Sequence, residues 1–304
     1  MSDRAIGLDL GGTQIKAVIV NTAGEVLRRE VRPTGGETAP GQPWAHTMRS
    51  LVQELGPCLP AGISAPGLAS RDRGCIAFFP QRLPGLEGLD WTAWLQRDRI
   101  VPVTNDAHSS LLGEAWLGAA RGLENVALFT LGTGVGGAAM VDGHLLRGHI
   151  GRAGHLGHMS LDIHGPPSIC RTPGAIEDFI GNHNVGERTG GRFTTTHDLV
   201  AAFRAGDPVA REVWLKSVRA LACAIASAIN VLDPEAVLIG GGIALAGDAL
   251  FSPLAAELDA IEWRPGGHSV KILPAALGEW AGAIGAAREA MLVTDDGWRM
   301  TDGG

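Results

Sequence analysis

Residues 6–20 run IGLDLGGTQIKAVIV: an apolar stretch to Asp9, a break at Gly11, Gly12 and Thr13, and a second apolar stretch from Ile15. This pattern predicts a β-hairpin with a tight glycine turn. Residues 26–32 continue it as a third antiparallel strand, and 33–43 form a Pro/Gly/Thr-rich loop. Trp44, Met48, Leu51, Val52 and Leu55 then fall on one face of a helix. Short strands are expected at 61–64, leading into Ala65-Pro66-Gly67, and at 100–103, with an irregular stretch at 71–90 between them. An Ala-rich helix over 107–118 follows Asn105-Asp106.

The opening pattern then returns. Residues 125–131 are an apolar strand, Gly132-Thr133-Gly134-Val135-Gly136-Gly137 a second Gly/Thr turn, 138–141 another strand, and Asp142-Gly143 a tight turn. Two copies of one hairpin predict a duplicated α/β fold. Residues 147–175 form a loop crowded with glycine, proline and four histidines, His149, His155, His158 and His164. Beyond it the pattern predicts helices at 175–181, 198–205, 208–232, 253–263 and 280–292, and strands at 236–239 and 269–273. The polar tail from Val293 is expected to fray.

Length and composition narrow the setting. The chain has 304 residues, 45% hydrophobic and 19% charged, with net charge -7. That is a globular profile with room for two cores. The acidic balance argues against nucleic-acid binding, which draws on clustered Lys and Arg. No targeting signal opens the chain, and no apolar stretch is expected to span a bilayer. Cys58, Cys75, Cys170 and Cys223 lack paired short spacings, which favours reduced thiols and a cytoplasmic location.

The two glycine turns carry the first chemical signal. Glycine lets backbone approach an anion, and successive N–H groups converge on phosphate oxygens. Asp9, ending the first strand, is placed to face the accompanying metal. Lys16 has two readings, a phosphate-neutralising cation or a solvated strand lysine.

In their order and spacing these motifs resemble the ROK family of sugar kinases, within the actin/hexokinase/heat-shock ATPase superfamily. The resemblance rests on Asp9–Thr13, Asn105-Asp106, Gly132–Gly137, Gly157-His158 and Gly240–Gly242, over nearly the whole chain. It implies two actin-like (ribonuclease H-like) α/β domains around a nucleotide and sugar cleft. The boundaries expected are a small N-terminal domain at 1–108, with a C-terminal helix at about 285–304 packing back on it, and a larger domain at 109–284. It also implies ATP with Mg²⁺ as donor and a hexose-type acceptor. Asp9, Gly11, Gly12, Thr13, Gly132, Thr133, Gly134, Gly241 and Gly242 are then the nucleotide-binding residues. Gly67, Asn105, His155, His158 and Glu177 fall to the sugar, and Asp106 to catalysis.

Asp106 suits that role chemically. A sugar hydroxyl is a poor nucleophile, so a carboxylate must accept its proton as it attacks the γ-phosphate. An Asp at a helix start also reads as an N-cap. Glycines at Gly241 and Gly242 read equally as close packing of strand on helix, and Glu177 as a helix-start acid favoured by the dipole.

The chain departs from the family in the histidine-rich loop. The family's structural zinc is held by one His and three Cys; here His158 is present, but the Cys positions are Ser168, Cys170 and Ala175. Two ligands do not make a tetrahedral site, so structural zinc is expected to be absent and the loop to be held by packing and hydrogen bonds. His155 stands where the family carries a sugar-binding Glu. A carboxylate only accepts, whereas neutral imidazole also donates, so the preferred sugar is expected to differ. Gln81 and Arg82 stand where the family often shows an Asn near the sugar. The resemblance further implies a homodimer. Three alternatives stand beside the kinase, one of them an ATPase acting on a non-sugar partner, as elsewhere in the superfamily. A family repressor would need a DNA-binding domain ahead of Ile6, where only five residues lie. A degenerate sugar sensor without turnover is favoured by the altered loop and opposed by Asp106 and the glycine turns.

Overall fold

The computed structural model describes residues 2–35, 42–79, 83–294 and 297–298. The elements begin with β1 (Arg4–Leu10), β2 (Gln14–Asn21), β3 (Val26–Pro33), α1 (Pro43–Leu55), β4 (Ala61–Ala65), β5 (Leu68–Ala69) and β6 (Ile76–Phe78). They continue with α2 (Trp91–Trp94), β7 (Val103–Asn105), α3 (Asp106–Leu117), β8 (Val126–Leu131), β9 (Val135–Val141) and β10 (His144–Leu145). Then come α4 (Ile176–Ile180), α5 (Val185–Arg188), α6 (Thr196–Arg204), α7 (Pro208–Leu232), β11 (Ala236–Gly240), α8 (Asp248–Ile261), β12 (Lys271–Pro274) and α9 (Ala281–Leu292).

The chain divides into two compact units. One comprises Met1–Gly122, Leu145–Ala153 and Ala276–Gly304; the other comprises Leu123–His144 and Gly154–Ala275. Each holds a five-stranded sheet, ordered β3-β2-β1-β4-β7 in the first and β10-β9-β8-β11-β12 in the second. In both, the central strand pairs antiparallel with the next strand in sequence and parallel with a later one. The repeated hairpin is therefore the start of a repeated topology. Its second copy closes on Asp142 (φ 50) and Gly143 (φ 73), two left-handed residues in succession.

In the first unit, Trp44, Met48, Leu51 and Val52 of α1 pack with Ile6, Leu8 and Ile63. On the other face α9 lies against β1, β4 and α3 with almost no side chain between the backbones. A Cβ on Gly285 would fall 1.8 Å from Ser109 O, on Gly7 1.8 Å from Ala283 O, and on Gly62 2.2 Å from Ala286 O. The Ala-rich sequence of α9 is what permits this approach.

In the second unit the core gathers Phe129, Leu131, Trp214, Leu221, Ile225, Ile239 and Leu254. Its long helix α7 corrects one expectation, since it is long and apolar enough to cross a membrane by length and composition. Trp214, Val218, Leu221, Ile225 and Ile229 along it are buried, and Lys216 and Arg219 point outward in ion pairs. This is the pattern of a core helix.

Several boundaries differ from the sequence expectation, the strand expected at 138–141 beginning at Val135 and the helix expected at 198–205 at Thr196 among them. The strand placed at 100–103 begins at Val103, because Pro102 precedes it without an N–H to donate. Helix α8 starts at Asp248 rather than Pro253, so the proline lies inside it. Ala249 O, which loses its partner at Pro253, accepts instead from the Trp214 indole N–H at 2.7 Å. The strand expected at 269–273 occupies Lys271–Pro274.

The α9 contact gives a direct test. Gly285→Ala forces a methyl into backbone and should destabilise the protein by about 3 kcal/mol in thermal or denaturant unfolding. Gly74→Ala, whose new Cβ meets only the Asp72 side chain at 3.6 Å or more, should change stability by less than about 0.5 kcal/mol.

Candidate active site

In the first unit, β1, β4 and β7 run parallel, so their carboxyl ends share one edge. Asp9 and Ser64 are register partners there, and Asn105 pairs with Ala65 one residue further on. That edge is where α/β sheets present ligand-binding groups. The Ser64 hydroxyl donates to Asp9 Oδ1 at 2.6 Å. Burial pushes the Asp9 carboxyl up, partly offset by Ser64 and by the Lys16 ammonium. Lys16 itself pairs with Glu279 at 3.2 Å.

Asn105 caps α3. Its Oδ1 accepts from the backbone N–H of Ala107 at 3.0 Å and of His108 at 3.2 Å, while its Nδ2 donates to Gly67 O at 2.9 Å. The N-cap reading of Asp106 is thereby overturned: Asp106 is the first helical residue. Asn105 is buried and keeps one amide proton for any further partner. Gly67, at φ +100, admits no side chain, since a Cβ would press on Phe78 O at 2.7 Å. Asp106 is open to solvent on one side. Crowding by protein on the others, with Asp9's negative charge, lifts its carboxyl to about 6. An accessible carboxylate with that proton affinity has the character of a general base.

The first glycine turn closes with Gly11 N–H donating to Gln14 O at 2.9 Å. Buried Thr34 fastens it, donating from Oγ1 to Gly11 O at 2.7 Å and from its N–H to Thr13 O at 3.0 Å. Gly12 is half-buried and Thr13 exposed.

In the second unit, the turn at Gly132–Gly134 closes with Gly132 N–H donating to Gly134 O at 3.0 Å. Asn182 N–H donates to Gly132 O and His183 N–H to Thr133 O, both at 2.9 Å. The His183 ring lies between Thr133 O, 2.9 Å from Nδ1, and Asp178 Oδ1, 3.1 Å from Nε2. Gly132 and Gly242 have open space where a Cβ would stand. Gly241 (φ +84) lies against Leu131, where a Cβ would meet its carbonyl oxygen at 2.3 Å. Both glycine turns thus present open backbone suited to phosphate oxygens.

His158 and Glu177 come together as the sequence suggests. His158 Nδ1 lies 3.2 Å from Glu177 Oε1, outside hydrogen-bond alignment, so the contact is one of charge. The Glu177 carboxylate holds the imidazolium above the ordinary histidine value. Both atoms are buried without a hydrogen-bond partner, and such atoms favour an incoming polar ligand. Glu177 Oε2 also reaches the glycine turn, 2.7 Å from where a Cβ of Gly134 would lie. The His155 ring stands edge-on to His158, centroids 6.3 Å apart.

The residues at the family's zinc positions do not fit zinc. His158 Nε2 meets Cys170 Sγ at 3.4 Å, but Ser168 accepts from Cys170 N–H and Ala175 is fully buried. Among the described residues no group of three or more His, Cys, Asp or Glu is arranged for a metal. Hydrogen bonds close the loop: Leu161 N–H to Gly174 O at 2.8 Å, Gly174 N–H to Pro166 O at 2.9 Å and Ile176 N–H to Met159 O at 3.0 Å. Gln81 and Arg82 lie outside the described residues. Sequence reasoning missed Ser64, Thr34, Asp178 and His183. Only Ser64, ending a strand, carried a positional signal.

The chain resembles known proteins over most of its length. The ROK family model matches residues 5–293. A glucokinase of Thermotoga maritima is 31% identical over 93% of this chain and 96% of its own. Among solved structures, a ROK hexokinase from Thermus thermophilus is 32% identical, with TM-score 0.81, over 93% of this chain and 96% of that one. A ROK family glucokinase from Streptomyces griseus, in complex with glucose and AMPPNP, is 27% identical with TM-score 0.75, over 94% and 98%. These likenesses establish the two-part, actin-like α/β fold class, and the chain belongs to the ROK family.

Proposed function

We propose that this chain transfers the γ-phosphoryl group of ATP to a hexose or hexose derivative at its 6-hydroxyl, with Asp106 as general base. The observation that carries the reading is the Asp106 carboxyl, accessible at the strand-end edge and poised at about 6. The AMPPNP and glucose of the Streptomyces griseus relative support ATP and a sugar as its substrates.

In the reaction the 6-oxygen attacks the γ-phosphorus as its proton passes to Asp106. The bond from the γ-phosphorus to the bridging oxygen breaks, and ADP leaves with that electron pair. Gly11, Gly12, Thr13, Gly132, Thr133 and Gly134 offer backbone to the phosphates, and Gly241 and Gly242 to the nucleoside. Asp9 fits a hydrated Mg²⁺, because Ser64 engages only Oδ1 and such an ion needs one or two carboxylates. Mg²⁺ held there would neutralise phosphate charge. Glu177 Oε1 and His158 Nδ1, paired by charge but without an aligned hydrogen bond, are suited to sugar hydroxyls, and His155, Asn105 and Gly67 are the further sugar-binding candidates. His155, able to donate as well as accept, shifts the preferred sugar from that of relatives with Glu there. The chain works in the cytoplasm as a homodimer.

A coupled ADP-release assay across glucose, mannose, fructose, allose, N-acetylated hexosamines and β-glucosides tests the reading. Sugar-dependent turnover is expected, with kcat about 10²–10⁴-fold lower in Asp106→Asn and KM little changed. Absence of turnover with every sugar, while sugar and ATP still bind, makes the chain a sensor. The base must be ionised to accept a proton, so kcat/KM should rise with pH and level off above about 6. A profile flat from pH 5 to 8 removes Asp106 from the role. Treatment with a zinc chelator, followed by restored Mg²⁺, should leave activity and melting temperature unchanged; a loss of either would reveal a structural metal.

A further inference from the structure

Arg188 ends α5 in the second unit with its guanidinium largely withdrawn from water. It donates from Nε to Asn184 Oδ1 at 2.9 Å, from Nη1 to Ser217 Oγ at 2.6 Å and from Nη2 to Gly181 O at 2.8 Å. All three acceptors are neutral. Among the described residues no carboxylate pairs with it, and burial alone pushes its guanidinium down to about 10. A desolvated cation without a counter-charge is costly, because neutral acceptors do not offset the lost hydration. The other arginines drawn into the structure beside carboxylates, Arg73 and Arg147, share buried Glu289.

The Arg188 guanidinium faces a cavity of about 270 Å³, lined also by Phe179, Glu212, Val213, Lys216 and Ser217. Two of its five N–H groups remain for a ligand. Lys216, on the exposed face of α7, adds a second cation at the rim, paired at 2.7 Å with Glu212. Phe179 and Val213 form an apolar wall, and the volume accommodates a group larger than a bare anion.

We propose that this cavity is an anion site, separate from the glycine turns, that takes a phosphate group, free or carried by a small sugar. Arg188 and Lys216 bind the phosphate oxygens, and Phe179 and Val213 pack on any attached carbon skeleton. The site has a route to the second glycine turn. Gly181 and Asn184, which Arg188 holds, flank Asn182 and His183, whose N–H groups secure Gly132 O and Thr133 O. Occupancy therefore bears on the turn proposed for ATP.

The test is isothermal titration of the full chain, loaded with saturating AMPPNP and sugar so that the glycine turns are filled. Inorganic phosphate and glucose 6-phosphate are the probes, and binding is read without turnover. One site per chain is expected, weakened about tenfold or more by Lys216→Glu and by Arg188→Gln, with Arg188→Lys intermediate. Tighter glucose 6-phosphate identifies a sugar phosphate as ligand, and tighter inorganic phosphate the free ion. Lys216 is exposed, so its variant reports on the site even if Arg188→Gln fails to fold. No binding of either probe to the loaded protein, or equal affinity in wild type and Lys216→Glu, overturns the proposal.

Discussion

Backbone-on-backbone contact between α9 and its neighbours in the first unit constrains everything else there. Gly7 and Gly62 lie on adjacent strands, Gly113 and Ser109 on α3, and α9 presses on all of them. At these glycines not even a methyl fits between. Ser109 Oγ donates to Gly282 O at 3.1 Å, adding direction to the contact. The same approach brings the start of α9 to Asp9, where a Cβ on Gly282 would stand 2.8 Å from Oδ1. The helix that begins with Asp106 and the strand that carries Asp9 are thus both located by α9. Close packing of this kind is sensitive to single methyl groups, so the geometry of the two carboxylates is inherited from the glycine and alanine content of distant parts of the chain.

The two carboxylates held in this way meet different surroundings. Burial raises the Asp9 carboxyl, and the Ser64 hydroxyl and the Lys16 ammonium partly offset that rise. Asp106 lacks a cationic partner and is repelled by Asp9. Similar groups in different surroundings acquire different proton affinities, which is how acid and base roles are assigned in many enzymes. Here burial raises both carboxyls, and only Asp9 has a hydroxyl donor and an ammonium that work against the rise.

The sequence made the sheets legible because their signal is local. Alternating apolar runs broken by Gly-Gly-Thr and Gly-Thr-Gly announce a hairpin twice, and the repeat announces the duplicated fold. What it hid was decided by tertiary partners. Asn105 and Asp106 are both good capping residues, and only the positions of Ala107, His108 and Gly67 select Asn105 as the cap. Pro253 looked like a helix start because proline is common there; the Trp214 indole, 39 residues earlier, supplies the bond that lets it sit inside. His183 and Asp178 carried no motif, since their relation to Thr133 arises from a turn packing against a hairpin some fifty residues away.

The histidine loop is closed by its own backbone. With Ser168 and Ala175 in place of two thiolates, the chain closes the loop through backbone pairs from Ser160 to Ala175 and Pro167 to Pro173. Ser168 joins this network, its N–H donating to Thr172 O at 2.9 Å and its carbonyl accepting from Arg171 at 2.8 Å. His158, with only Cys170 left from the ligand set, gains its orientation from Glu177 instead. That exchange alters the electrostatics as well as the support. A metal draws electron density from its imidazole ligand, whereas a carboxylate neighbour favours the protonated ring. The Glu177 carboxylate therefore favours the protonated ring of His158, 3.2 Å away, in a loop whose closure rests on backbone hydrogen bonds.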